Sequence, residues 1–115
     1  MFKEIQIGEK AVPMMCPAAI NIYCNRIFGV DPIQRMNGEM NEAEGIDLWM
    51  KLGYLMSEFA KCSEAGSFEG MNRLNEDTYL AWMCGIGHAE YMDVLGEITD
   101  MYYKSNKANS AAKKA

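Results

Sequence analysis

Few side chains in this sequence are spaced as chemistry would need them. The one histidine, His88, opens a His88-Ala89-Glu90 run that looks superficially like the His-x-Glu of zinc deaminases. A zinc centre of that kind takes its other ligands from a Pro-Cys-x-x-Cys segment, and none follows. Cys84 lies four residues before His88, close enough to share a helix face. A structural zinc needs four ligands, however, and no third or fourth is in view, while Gly85 and Gly87 break the helix between the two. Cys16, Cys24 and Cys62 are widely spaced and no Cys-x-x-Cys pair occurs, so all four cysteines are expected to be small buried hydrophobes. Gly85-Ile86-Gly87 follows a helical pattern rather than a strand, which rules out a dinucleotide loop. No Gly-x-Ser-x-Gly and no phosphate loop occur. The expectation is a protein that is not an enzyme and takes no cofactor and no metal.

What remains is suited to gripping another protein. Eleven methionines in 115 residues is a heavy load. Met50, Met56, Met83 and Met92 fall in helical patterns and are assigned to the core. Met14, Met15, Met36 and Met40 lie outside the long helices and are candidates for a deformable apolar surface, the kind that holds a loosely specified partner. Glu90, Asp93, Glu97 and Asp100 recur at helical spacing as an acidic face. Like charges so placed repel by a few tenths of a kcal/mol per pair. Such a face is either simply solvated or a dock for a basic partner segment, and the sequence leaves both readings open.

Charge bounds the partners further. All 16 acids lie in residues 1–100 against seven basic residues there, while Lys104, Lys107, Lys113 and Lys114 follow with no acid. An acidic body with a short basic tail is poor material for nucleic-acid binding. No apolar run approaches the roughly 20 residues of a membrane span, and no signal peptide opens the chain. The expectation is a cytoplasmic protein with no membrane partner. Half the residues are hydrophobic, enough for one folded domain over 1–104, with 105–115 as a flexible basic tail.

The elements that must position these residues centre on one helix, Asn41 to Cys62, about 42–62 without its cap. Its polar residues, Asp47, Lys51, Tyr54, Glu58 and Lys61, form a single narrow stripe at steps of four and three. The rest is apolar, so neighbours must cover it on three sides, with the polar stripe left open. Asn41 with Glu44 makes a variant capping box, and Gly66 supplies a left-handed stop. Before it come a hairpin over Phe2 to Met15 with Pro13 on an edge, a helix from Pro17 to Phe28, and a short helix from Pro32 to Met36 capped by Asp31. After it come a short helix from Ser67 to Leu74, a helix capped by Asn75 that stops at Gly85, and a last helix from about His88 to Tyr103. The fold class is mainly α (α+β): a short N-terminal β-hairpin followed by about five helices packed around a central one. A helix so apolar leaves room for a homo-oligomer.

A family resemblance goes further than these physical readings. Tyr23-x-x-Arg26-x-Phe28-Gly29-x-Asp31 after a short hairpin resembles the start of the tail assembly chaperones of Gram-positive phages and prophages. Trp49 and Leu55-Met56 in the next long helix, a Ser67-Phe68-Glu69 helix start, a closing Glu97-Ile98-Thr99-Asp100-Met101-Tyr102 and a polar Lys/Ser/Asn tail follow in the same order. Two features depart from the pattern: the methionine load, and Gly85-Ile86-Gly87 within a region usually more continuously helical. The resemblance implies a non-enzymatic function. Such proteins bind the long tape-measure protein in the host cytoplasm, keep it soluble, help recruit tail-tube subunits, and are absent from the finished virion. The other reading from the residues is a bacterial cytosolic helical adaptor or regulatory domain unrelated to phage, with the acidic surface serving a different partner.

Overall fold

The computed structural model describes the backbone of residues 2–114 and the side chains of residues 2–105. Strands β1 (Phe2–Ile7) and β2 (Lys10–Met15) form a two-stranded antiparallel hairpin, with Ile7 opposite Lys10 and Ile5 opposite Val12. Gly8 takes φ +61° at the first turn position and Glu9 has no positive φ, the pattern of a two-residue II′ turn. Alternation does the rest: Ile5 and Met14 turn inward and are buried, while Phe2, Glu4, Gln6 and Ala11 stay exposed.

The helices are α1 (Ile20–Phe28), α2 (Pro32–Asn37), α3 (Glu42–Ala65), α4 (Glu76–Cys84) and α5 (Tyr91–Lys114), with a 3-10 turn at Glu69–Arg73. Together with the hairpin they make the mainly α architecture expected. α1 starts three residues later than Pro17. The Ile20 N–H donates to the Pro17 carbonyl at 3.1 Å, so Pro17–Ala19 form a tight turn rather than helix. Along α1, Ile20 and Cys24 are buried and Ile27 and Phe28 half-buried, whereas Ile22 is exposed. The last helix likewise starts later than His88, because the residues after Gly87 form a turn before Tyr91.

α3 is the middle of the fold and runs three residues past Cys62 to a left-handed stop at Gly66 (φ +79°). Asn41 Oδ1 accepts from the Glu44 N–H at 2.8 Å. The reciprocal half of the expected capping box is absent, because the Glu44 carboxylate is taken by Arg35 of α2. Leu52, Leu55, Met56 and Phe59 are buried, with the Phe59 ring meeting Tyr23 of α1 edge-on at 5.3 Å. Trp49 is half-buried and packs edge-on against Tyr102 of α5 at 5.4 Å.

The polar stripe of α3 is open at Lys61 but covered in its middle. Lys51 and Tyr54 are buried, at 8% and 3% exposure, because α4 lies across them. Tyr54 donates to Thr78 Oγ1 at 2.9 Å, and Lys51 Nζ reaches Glu76 of α4 at 3.3 Å. A polar stripe three or four residues apart marks a solvated face only until a neighbour offers matching groups, as α4 does.

In α5, Val94, Ile98, Met101 and Tyr102 are buried, and Met92, assigned to the core, is 55% exposed. Ser105 is buried beside the Cys16 thiol, so the packed domain extends one residue past the expected boundary at 104. The side chains of the expected flexible tail beyond it, 106–115, lie outside the described residues. Cys16, Cys24 and Cys62 are buried as expected, but Cys84, at the end of α4, is exposed. No helix among the described residues is long and apolar enough to cross a membrane.

Candidate functional site: an apolar cleft between two helices

α4 is built to be held from one side. The Asn75 side chain accepts from the Thr78 N–H at 2.9 Å, the Thr78 hydroxyl accepts from the Asn75 N–H at 2.9 Å, and Glu76 and Asp77 sit at the positive end of the helix dipole. One face docks on α3. There Tyr79 is buried and donates to Asp47 Oδ1 at 3.0 Å, and the rings of Tyr54 and Trp82 lie 5.6 Å apart. Tyr79, Leu80, Trp82 and Met83 span more than one helical face, however, so Leu80 and Met83 fall beside the contact with α3 instead of within it.

That leftover surface forms one wall of an open cleft of about 480 Å³. Ala43 and Ile46 of α3 form the opposite wall, and Ile86, Gly87, His88 and Tyr91 close one end. Leu80 is 49% exposed, while Ile46, Met83, Ile86 and Tyr91 are half-buried. Asp47 brings a carboxylate and His88 an imidazole to the lining, and the His88 ring stands 5.4 Å from that of Tyr91. Walls of this kind remove apolar side chains from water, at roughly 25 cal/mol for each Å² covered.

Beneath the cleft floor the electrostatics are settled internally. Lys51 Nζ lies 2.8 Å from Asp47 and 3.3 Å from Glu76, and it stands over the rings of Phe28 at 5.1 Å and Tyr79 at 5.5 Å. Burial alone would lower the lysine pKa. The hydrogen bonds and charges of Asp47 and Glu76 outweigh it and hold the ammonium above its usual value. Burial, helped by Asp47 and Glu76, pushes the Tyr79 phenol far up, so it remains a donor. Burial also pushes the Cys24 thiol up to about 12, against the opposing charge of Lys51, so Cys24 is a neutral packing group and not a nucleophile.

The residues nominated from sequence are placed differently. Met14 is fully buried, turned inward by strand alternation, and is not a contact surface. Met15, Met36 and Met40 are half-buried against the core, and none of these four lines the cleft. Asp93, Glu97 and Asp100 do come together, around exposed Met92, in a shallow groove on α5 that also includes Lys3. The expected unbroken acidic face carries cations: Lys3 pairs with Glu97 at 3.0 Å and Lys104 with Asp100 at 2.9 Å. Glu90 is half-buried and turns away, accepting from the Gly87 N–H at 3.4 Å near the hairpin turn. Cys84 ends α4 and His88 lies in the turn beyond it, so they share no helix face. Among the described residues no three His, Cys, Asp or Glu side chains gather as a metal site.

The cleft residues themselves were missed. The signal available was four large apolar residues within the five positions 79–83 of α4, more than one face can bury, followed by a Gly-x-Gly break that prevents the next helix from covering the excess. Comparison with protein-family models, curated proteins and solved structures finds no match to this chain.

Proposed function

We propose that this protein is a non-enzymatic tail assembly chaperone of a Gram-positive phage or prophage, which binds the tape-measure protein in the host cytoplasm and keeps it soluble until the tail tube is built around it. The observation that carries the reading is the apolar cleft on an acidic body, a surface that can cover an aggregation-prone helical client while its charge keeps the complex dissolved. The resemblance from Tyr23 to Tyr102 supplies the identity of the client. The hairpin, the Trp49-bearing central helix and the turn opened by Ser67 are compatible with it. Many copies along one long client make a weak individual site sufficient through multivalency. On this reading the chain also helps recruit tail-tube subunits and leaves before the virion is complete.

Co-expression tests it. The tape-measure protein that this reading names as client is produced with and without the chain, and the soluble fraction is measured. A several-fold gain in soluble client, with the two proteins co-purifying, is expected. Equal insolubility in both cases sinks the proposal.

A further inference from the structure

We propose that the cleft between α3, α4 and the loop at 85–90 seats one amphipathic helix of a partner, and that this helix carries Lys or Arg beside its apolar stripe. The inference rests on the protein-binding reading above but not on the identity of the client.

The helical form follows from what the walls lack. They are side chains of two helices and a turn, mostly apolar, and no strand edge lines the cleft. An extended partner would leave its own N–H and C=O groups facing Leu80, Met83 and Ile46 without hydrogen bonds. A helix satisfies its backbone internally and presents side chains one turn apart. At about 480 Å³ the cleft lies within the roughly 300–1,000 Å³ range of pre-formed binding pockets, room for a few apolar side chains but not for a folded domain.

The charge of the partner follows from the rim. Glu42 precedes Ile46 by one turn of α3, and Asp77 precedes Leu80 by nearly one turn of α4, so each carboxylate borders an apolar wall. Both are exposed, and neither makes an ion pair among the described residues. Asp47 and Glu76 share one lysine, Lys51, which is buried between them and cannot reach outward. No Lys or Arg lines the cleft. An acidic partner would add like charge to this border, whereas Lys or Arg side chains flanking an apolar stripe would meet it and speed encounter.

The test uses the full chain and fluorescein-labelled peptides of about 18 residues, long enough for five turns. One carries Leu at helical spacing with Lys on both flanks, a second replaces Lys by Glu, and a third keeps Lys but replaces Leu by Ser. Anisotropy is measured against the wild type, Leu80→Gln and the double variant Glu42→Lys/Asp77→Lys, with circular dichroism confirming that each protein is folded. The Lys/Leu peptide is expected to bind saturably and at least about tenfold more tightly than either other peptide. Leu80→Gln should weaken it at least about fivefold, and the double charge reversal should erase most of the preference for Lys over Glu. Absence of saturable binding, equal binding of the Lys/Leu and Glu/Leu peptides, or binding untouched by Leu80→Gln would overturn the proposal. A client solubilised in co-expression while all peptides fail removes the seat and keeps the chaperone reading. Peptides that behave as expected beside an insoluble client do the reverse.

Discussion

Gly53 sits where α5 crosses α3, and its missing side chain sets how closely the two helices approach. A Cβ there would stand 2.9 Å from Ile98 Cγ1 and nearer still to Cδ1, and Ile98 is fully buried with little room to yield. The same helix carries Gly45 with open space around its Cα. Ala is the better helix former by about 1 kcal/mol, so where nothing opposes it the substitution stabilises. Gly45→Ala is therefore expected to raise stability by roughly 0.5–1 kcal/mol, while Gly53→Ala should lower it by about 1–3 kcal/mol through overpacking. Denaturant unfolding of the two variants checks the opposite signs. If Gly53→Ala is neutral or stabilising, the α3–α5 crossing is not as close as described. Nothing in the sequence around Gly53 distinguishes it from Gly45. The difference comes from Ile98, 45 positions away, and so was not legible locally.

At the scale of elements, what local chemistry dictates was legible. Asn41 and Asn75 cap α3 and α4, Asp31 caps α2 by accepting from the Ile33 N–H at 3.1 Å, and Gly29 and Gly66 end α1 and α3 at positive φ. Each needs only the residues beside it. Which face of α1 turns inward, and the burial of Lys51 and Tyr54 in the α3 stripe, needed knowledge of what docks on them. Lys51 and Tyr54 look solvent-facing until Glu76 and Thr78 arrive from α4. The Asn75–Thr78 box thus does two jobs, because Thr78 both caps α4 and accepts from Tyr54. Asn75→Ala is expected to cost about 1 kcal/mol, within the usual 0.5–2 range for lost caps, and to speed amide exchange in the first turn of α4. Unfolding and exchange measurements on the variant check this. Unchanged protection at Thr78 to Leu80 would show that the α3 contact alone holds the helix.

For the whole molecule, the arrangement is a central helix covered by a hairpin, α1, α5 and α4, with the last of these leaving apolar surface over. The sequence pointed to methionines and an acidic helix as the gripping surface. The fold buries Met14, half-buries Met15, Met36 and Met40, and pairs Glu97 and Asp100 with lysines. The cleft is instead assembled from Ala43 and Ile46 in α3, Leu80 and Met83 in α4, and the turn leading to Tyr91. These residues become neighbours only when α4 folds back on α3, which no local pattern specifies. The central claim is that this cleft, rather than the α5 groove or the outer face of the hairpin, meets the client. Hydrogen exchange of the full chain, alone and in complex with the co-expressed tape-measure protein, tests it most directly. The account predicts added protection from Glu76 through Tyr91 and in the first turns of α3. Protection confined to α5 around Asp93 to Asp100, or to the hairpin, would contradict it.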